Sequence, residues 1–276
     1  LHLGGWQLCS LLLTATGYTS QRLAELHVAA PTAQSFLVYL LLSLHLLLPL
    51  RERRAGGSAK RLRFWQWTLL AVADVEANYL LVRAYQYTTL TSIALLDAFA
   101  VPATMVLSRL IFHVVYTRQQ LGGALMCLGG LGVLVVSDAL LRPAEHAGSA
   151  PWLGDCLVLL GATLYAASNV AQEHQVRTFD KREYLGKLGA FGSVVSGTQC
   201  AIFERESIAR AVDAASGSAA SGGGWELLAL ELAFVGSLLL FYVLIAALLE
   251  DGSTATVMNL SLLTADFWSA AAGVAL

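Results

Sequence analysis

The sequence predicts an all-α integral membrane protein, and three observations predict it. Hydrophobic residues make up 57% of the 276 residues and charged residues only 13%, whereas soluble domains carry roughly 25% charged residues. The mean hydropathy is +0.64. The apolar runs are continuous and as long as helices, unlike the alternating strands of about ten residues that form membrane barrels. We therefore expect a lipid bilayer around the chain. Nucleic acid is not expected as a partner, because the net charge is −2.

Apolar runs long enough to cross a bilayer follow one another along the whole chain. A spanning helix needs about 20 residues. By that criterion we count nine spans, which lie at about residues 5–20, 32–50, 65–87, 91–113, 121–137, 153–173, 185–203, 226–249 and 254–276. Only short loops are left between them, so no separate soluble domain is expected. The chain begins at Leu1 and ends inside an apolar run, so we also expect that it is incomplete at both ends.

The charges in the loops predict an orientation. The loop after the second span holds the densest basic cluster, at residues 51–54 and 60–63. Short basic loops stay in the cytoplasm. The basic loops near Arg118 and at 177–182 fall on the same side by alternation. We therefore expect a cytoplasmic N-terminus and a cytoplasmic 51–63 loop, in the plasma membrane or in an endomembrane such as the Golgi or the endoplasmic reticulum.

Two parts of the chain resemble each other. Cys9 and the stretch 15–18 match Cys156 and the stretch 162–165 at one constant offset, and spans four and nine match more weakly. Two five-span halves that are offset by an odd number of helices have opposite topology. Such inverted repeats are typical of secondary transporters, which bind solute near mid-membrane. We predict a first five-helix repeat at 1–137, a loop at 138–152, and a second repeat at 153–276 with four helices present.

The third span is the richest in polar side chains. Helical spacing places Asp74, Asn78 and Tyr85 on one face and Glu76 and Arg83 on nearly the opposite face. Ionisable groups within a bilayer usually face a cavity or a partner. We interpret the first face as the lining of a functional cavity. The second face carries structural intramembrane charges that pair with neighbouring helices.

The sixth span carries one polar stripe. Tyr165, Ser168, Asn169, Gln172 and Glu173 recur at the spacing of a single helical face. The first three could line a path for solute. Glu173 lies near the cytoplasmic loop, so we expect that end of the stripe to be simply solvated.

Spans four and nine add polar residues from opposite halves. Span four holds Ser92 and Asp97, followed by Pro102, which can kink a helix by freeing a backbone carbonyl. Span nine holds Asn259 and Asp266. The two aspartates could flank a central site, or each could bond a neighbouring helix.

No catalytic motif accompanies these polar residues. The six histidines form no HExxH zinc motif, and the sequence contains neither a GxSxG elbow nor a Walker loop. The sequence therefore predicts no enzyme, no metal site and no cofactor.

The central stretch from Asp74 through Arg83 to Asp97 resembles the signature of the solute carrier 35 family, F subgroup. The stretches 19–36, 154–169 and 259–266 are similar to that family too. The resemblance implies the drug/metabolite transporter fold, with ten helices in two inverted five-helix halves. The tenth helix is then expected beyond Leu276. The wider family includes nucleotide-sugar transporters, and the F subgroup is associated with vitamin-like and nucleoside-like solutes.

Together these features predict a multi-pass secondary transporter that moves a small polar organic solute by alternating access. Nucleoside-, nucleotide-sugar- and vitamin-like solutes all stay open. The alternative is a non-transporting membrane receptor or scaffold with the same bundle. The expected partners are the solute and the lipid bilayer, and the sequence leaves open whether two copies form a homodimer. The predicted solute-binding residues are Asp74, Asn78, Tyr85, Ser92, Asp97, Tyr165, Ser168, Asn169, Asn259 and Asp266.

Overall fold

The computed structural model describes residues 2–26, 31–49, 63–84, 87–88, 90–141, 150–205, 208, 224–265 and 268. These residues form helices joined by turns and contain no strand, so the all-α class is confirmed. The first helices are α1 (His2–Glu25), α2 (Pro31–Ser43), α3 (Phe64–Ala84), α4 (Leu90–Asp97) and α5 (Ala100–Phe112). They are followed by α6 (Arg118–Leu141), α7 (Pro151–Thr178), α8 (Lys181–Phe203), α9 (Gly224–Glu250) and α10 (Ala255–Leu262).

Two helices of the described part of the chain have the length and composition of membrane spans. Within the described residues, Trp152–Arg177 of α7 and Trp225–Glu250 of α9 are long and apolar enough to cross a bilayer. Thr32–Leu47 and Ala100–Phe112 are apolar but shorter. The first of these short segments covers α2 from its second residue and ends in a 3-10 turn at Leu44–Leu47.

The predicted fourth span, 91–113, is two helices rather than one. The chain turns between α4 and α5, over Ala98 and Phe99. Pro102 has no amide hydrogen, so it cannot donate to the carbonyl of Ala98 as a helical residue would. Val101 donates to that carbonyl instead, at 3.1 Å. The proline that predicted a kink therefore lies just after a two-residue turn, in which Phe99 keeps helical backbone angles.

The ninth predicted span is also interrupted, in this case without a proline. Helix α10 ends at Leu262, and a turn follows at Leu263. Side chains of α1 bind carbonyls around this turn: Ser10 donates to Ser261 O at 3.1 Å, and Thr14 donates to Ala265 O at 3.0 Å. Two predicted site residues, Tyr85 and Asp266, lie outside the described residues.

The principal helix pairs connect the parts of the chain before and after residues 142–149. Helix α2 packs on α8, α3 packs on α7, and α1 packs on α9. Helices α4 and α5 also lie on α7, and α10 lies on α1 and α5. The shared core is rich in buried aromatic side chains, which are Trp6, Tyr39, Trp67, Tyr184, Phe234 and Tyr242.

Helix α8 approaches α2 closely through glycine. A Cβ atom at Gly189 would lie 2.6 Å from Leu42 C and Tyr39 O, and still closer to the Ser43 nitrogen. A Cβ atom at Gly192 would lie 2.6 Å from the Tyr39 ring. This contact fixes the depth at which Tyr39 enters the bundle.

Candidate functional site

The carboxylate of Asp74 lies at the junction of four helices. Its Oδ2 atom accepts hydrogen bonds from the hydroxyls of Tyr39 on α2, at 2.8 Å, and Tyr242 on α9, at 2.7 Å. Its Oδ1 atom accepts from Ser168 on α7, at 2.8 Å. Asp74 is 3% exposed. Three hydroxyl donors therefore stabilise a carboxyl group that is removed from both water and lipid.

Asn78 lies one turn beyond Asp74 and extends the same network. Its amide nitrogen donates to Tyr39 at 3.0 Å, to Tyr242 at 3.2 Å and to the Asp74 carbonyl at 2.9 Å. Its amide oxygen accepts from Tyr165 on α7, at 2.8 Å. The predicted residues Asp74, Asn78, Tyr165 and Ser168 are thus brought together in one cluster, which we call the Asp74 cluster and which includes Tyr39 and Tyr242.

The Asp74 cluster is closed in this conformation. Its polar atoms bind one another, whereas the sequence predicted that Asp74 and Asn78 line a watery cavity. The physical reason is the pair of tyrosines, Tyr39 and Tyr242, whose hydroxyls take the place that water or solute would occupy. The role of the predicted residues in binding solute stays a prediction.

A second polar cluster joins α5, α7 and α10. Asn169 donates to the amide oxygen of Asn259 at 3.1 Å, and Asn259 donates to Thr104 at 3.0 Å. Asn259 also donates to the Ala255 carbonyl at 2.9 Å. The predicted residues Asn169 and Asn259 are therefore in contact, beside the Asp74 cluster because Asn169 follows Ser168.

Farther along α7, the polar stripe binds the connection between α9 and α10. Glu173 is 7% exposed, accepts from the Ala255 amide at 2.7 Å, and pairs with Arg177 at 2.9 Å. Arg177 donates to the carbonyls of Gly252 at 2.8 Å and Ser253 at 2.6 Å. The expectation that Glu173 is simply solvated is therefore wrong, because its two oxygens are occupied by protein donors. We call these contacts the α7 latch.

The other predicted residues that the structure describes are Ser92, Asp97, Glu76 and Arg83. Ser92 is buried. The buried Oδ1 of Asp97 has no hydrogen-bond partner among the described residues. Glu76 accepts from Gln199 of α8 at 2.6 Å, and the Arg83 guanidinium lies 6.0 Å from the centre of the Tyr87 ring. The structural role of Glu76 and Arg83 stays a prediction.

Three cluster residues were missed by sequence reasoning. Tyr39 and Tyr242 are single tyrosines in strongly apolar runs, and Thr104 is a single hydroxyl beside Pro102. None of them belongs to a polar stripe. The only available signal was that a buried tyrosine hydroxyl usually needs a partner, and this does not say which partner.

Comparison with known proteins shows the family. The sequence model of solute carrier family 35, F type, matches residues 1–276. Solute carrier family 35 member F2 of Mus musculus is 41% identical over 267 residues, which cover 95% of this chain and 68% of the mouse protein. The Xenopus tropicalis protein of the same name is 35% identical over 95% of this chain and 66% of its own length.

A yeast protein and one solved structure are also similar to this chain. An uncharacterized solute carrier family 35 member of Schizosaccharomyces pombe is 34% identical over 97% of this chain. This chain spans about half of the length of that protein, 51%. One crystal structure is similar with a TM-score of 0.50, at 16% identity, over 98% of this chain and 96% of the other. At that identity the likeness shows a shared fold alone. The family match over the full chain and the vertebrate relatives show that the chain belongs to the F subgroup of solute carrier family 35, a family of integral membrane solute carriers.

Proposed function

We propose that this protein is a secondary transporter that moves a small polar organic solute by alternating access. The observation that carries the proposal is the buried Asp74 cluster, which draws on helices from before and after residues 142–149. A buried carboxyl group in a membrane bundle is costly and is usually kept for a solute or proton path. Membership of the family supports a solute carrier in general.

The solute would bind between Asp74 and Asn78 on α3 and Tyr165 and Ser168 on α7. Nucleoside-, nucleotide-sugar- and vitamin-like compounds are the candidate solutes. Because the cluster residues now bind one another, a solute would have to replace some of these bonds. Such an exchange favours a transporter that alternates between an occluded and an open state, since a ligand shifts the equilibrium toward the state that it binds better.

The proposal includes two inverted halves, residues 1–137 and 153–276. Helix pairing supports it: α3 packs on α7 while α9 packs on α1, and α4 packs on α7 while α10 packs on α1. A two-fold axis that exchanges α1 with α7, α3 with α9 and α4 with α10 converts the α3–α7 pair into the α9–α1 pair. The same axis converts the α4–α7 pair into the α10–α1 pair. Inverted repeats of this kind bind solute at the interface between the halves, where Asp74 lies.

Counterflow tests the proposal directly. The full-length protein is reconstituted in liposomes, and nucleosides, nucleotide sugars and vitamins are screened for uptake that preloaded solute accelerates. Asp74→Asn keeps the shape of the side chain: its amide oxygen can accept from both tyrosines, and its nitrogen can donate to Ser168 Oγ. We expect at least a tenfold loss of counterflow with normal membrane insertion.

The matched control is Glu226→Gln, which removes an acid whose side chain is 56% exposed and should leave counterflow unchanged. If the wild-type protein binds a solute but shows no counterflow, the receptor or scaffold alternative is favoured. If Asp74→Asn fails to insert, Asp74 is a folding residue and the assignment of the site is wrong.

A further inference from the structure

Beside the Asp74 cluster, the bundle holds hydrogen-bonding capacity that is not used. The indole nitrogen of Trp67, the amide nitrogen of Gln172 and the hydroxyl of Tyr184 are buried and have no partner within the described part of the chain. Their residues are 5%, 3% and 1% exposed. Leaving a buried donor unpaired is costly, because the donor loses its hydrogen bonds to water and gains none in the protein. Three such donors from three helices therefore need an explanation.

The three donors lie on the same side of Asp74. Helices α3 and α7 are antiparallel, because Asp74 contacts Ser168 whereas Asn78, one turn later, contacts the earlier residue Tyr165. Trp67 is two turns before Asp74 on α3, and Gln172 is one turn after Ser168 on α7. Both therefore lie toward the end of the bundle at which α7 ends.

Tyr184, on the first turn of α8, joins this group. Its ring centre is 6.1 Å from that of Trp67. Its hydroxyl lies close to the Ser168 hydroxyl and in the field of the Asp74 carboxyl group, but it does not have the geometry of a hydrogen bond to any described atom. The donors thus continue the Asp74 cluster along one direction, on α3, α7 and α8.

The chemistry of the donors selects their ligand. An indole nitrogen only donates, and the free group of Gln172 is its amide nitrogen, so the ligand atom must be an acceptor. An anionic acceptor is disfavoured by the nearby carboxyl group of Asp74. One cation of the described residues, Lys187, lies over the Trp67 ring at 5.2 Å and is already paired with Glu183 at 2.6 Å. A neutral carbonyl oxygen fits these conditions better than a phosphate or carboxylate.

We propose that Trp67, Gln172 and Tyr184 form a subsite that takes neutral carbonyl oxygens of the transported solute. This inference rests on the proposed transport function and narrows its substrate class. It favours uncharged, carbonyl-bearing compounds and disfavours phosphate-bearing ones such as nucleotide sugars.

The first test needs no solute. Tyr184→Phe removes only the unpartnered hydroxyl of Tyr184, so the empty full-length protein should melt at a higher temperature than the wild type. Tyr39→Phe is the opposed control, because its hydroxyl is bonded to Asp74 and Asn78, and it should melt at a lower temperature. A lower melting temperature for Tyr184→Phe would mean that Ser168 or an internal water already pairs the hydroxyl, which overturns the proposal.

The second test measures binding to the full-length protein in nanodiscs. The probes are three matched pairs, each a neutral carbonyl compound and its anion: uridine and uridine 5′-monophosphate, nicotinamide and nicotinate, riboflavin and flavin mononucleotide. We expect at least one neutral member to bind, with its anion at least tenfold weaker. Tyr184→Phe and Gln172→Met should each weaken that binding about 2- to 13-fold, the equivalent of one hydrogen bond. Trp65→Phe, an exposed site on the same helix, should bind as the wild type does.

The proposal is overturned if no neutral member binds, if an anion binds as tightly as its neutral partner, or if both variants bind as the wild type does. Failure of the transport function is seen separately, in counterflow. A protein that binds with the expected dependence on Tyr184 and Gln172 but shows no counterflow would support the subsite and contradict the proposed transport function.

Discussion

At the scale of single residues, Asp74 shows how a bundle keeps a carboxyl group away from water. Desolvation of an ionised carboxylate costs several kcal/mol even after the protein relaxes. Hydrogen bonds to a charged group contribute roughly 1.5–3 kcal/mol each, and Asp74 accepts three from hydroxyls. Hydroxyl donors can therefore offset most of the cost. They can also rotate away, which makes the arrangement suitable for exchange with a solute.

Because Tyr39 and Tyr242 share one oxygen of Asp74, their contributions to stability should not be additive. Each of Tyr39→Phe and Tyr242→Phe removes one donor and leaves the other, so we expect each to lower the free energy of unfolding by about 1–2 kcal/mol. The double variant leaves that oxygen unpaired and should lose about 1–3 kcal/mol more than the sum. Unfolding of the full-length protein in mixed micelles measures these values, with Tyr18→Phe, 41% exposed, as the control. Strict additivity would contradict the shared contact.

The sequence predicted only part of this site, for a physical reason. Asp74 and Asn78 are recognisable because polar side chains in an apolar helix are costly wherever they point. Tyr39 and Tyr242 are not, because a tyrosine is compatible with a lipid interface, a core or a site, and only its partner decides among them. That partner depends on how α2 and α9 dock on α3, which periodicity within one helix does not contain.

At the scale of secondary-structure elements, one face of α7 binds both α10 and the turn that precedes it. Asn169, Glu173 and Arg177 are four residues apart, so they lie on one line along α7, and each binds α10 or the turn before it. Glu173 also occupies the first backbone amide of α10, a group that has no partner within its own helix. The α7 latch therefore controls whether α10 can move away from α7.

Weakening the α7 latch should release the start of α10. Arg177→Met removes the donors to the Gly252 and Ser253 carbonyls and the cation beside Glu173. Loss of about 1 kcal/mol of local stability corresponds to roughly fivefold faster opening, so amide hydrogen exchange in the segment 251–262 should accelerate by that factor. Glu183→Gln is the control, because the Glu183–Lys187 pair lies within α8. Equal exchange in the wild type and in Arg177→Met would show that the latch does not hold α10.

The close contact between α2 and α8 makes a second prediction at this scale. Gly189→Ala would place a methyl group against the α2 backbone, so the helices must separate. We expect a loss of about 1–3 kcal/mol in unfolding free energy, the usual cost of overpacking, and impaired transport because Tyr39 moves with α2. Gly236→Ala on α9 has no described atom within 4 Å of the new methyl group and should be neutral or stabilising. A stable Gly189→Ala protein would mean that the two helices can separate without cost.

The two broken helices differ in how far the sequence predicts them. Pro102 predicts a disturbance near Ala98, because the missing amide acts four residues upstream. The break after α10 has no such residue. It is accompanied by hydroxyls of α1, with Ser10 and Thr14 bonded to carbonyls around Leu263, so it depends on tertiary contacts that the local sequence does not encode.

At the scale of the whole molecule, the helices before and after residues 142–149 are interleaved rather than stacked as two bundles. The pairs α2–α8, α3–α7 and α1–α9 all cross between the two parts. The Asp74 cluster takes α2 and α3 from one part and α7 and α9 from the other. The composition predicted helices and the internal resemblance predicted halves, but neither indicated that Asp74 bonds to side chains from both parts of the chain.

This interleaving predicts the behaviour of a protein cut between residues 142 and 149. Either part expressed alone would leave its polar residues, Asp74 in one and Ser168 in the other, without their partners, so we expect rapid degradation or aggregation of each. Co-expression of the two parts of the full-length protein should restore a stable complex, because every principal helix pair can re-form between separate chains. Co-purification through a tag on one part measures the complex, and Asp74→Asn in the first part should still assemble because it keeps the shape of the contact. Two parts that are each monodisperse and stable alone would show that the pairs across the cut do not hold the bundle together.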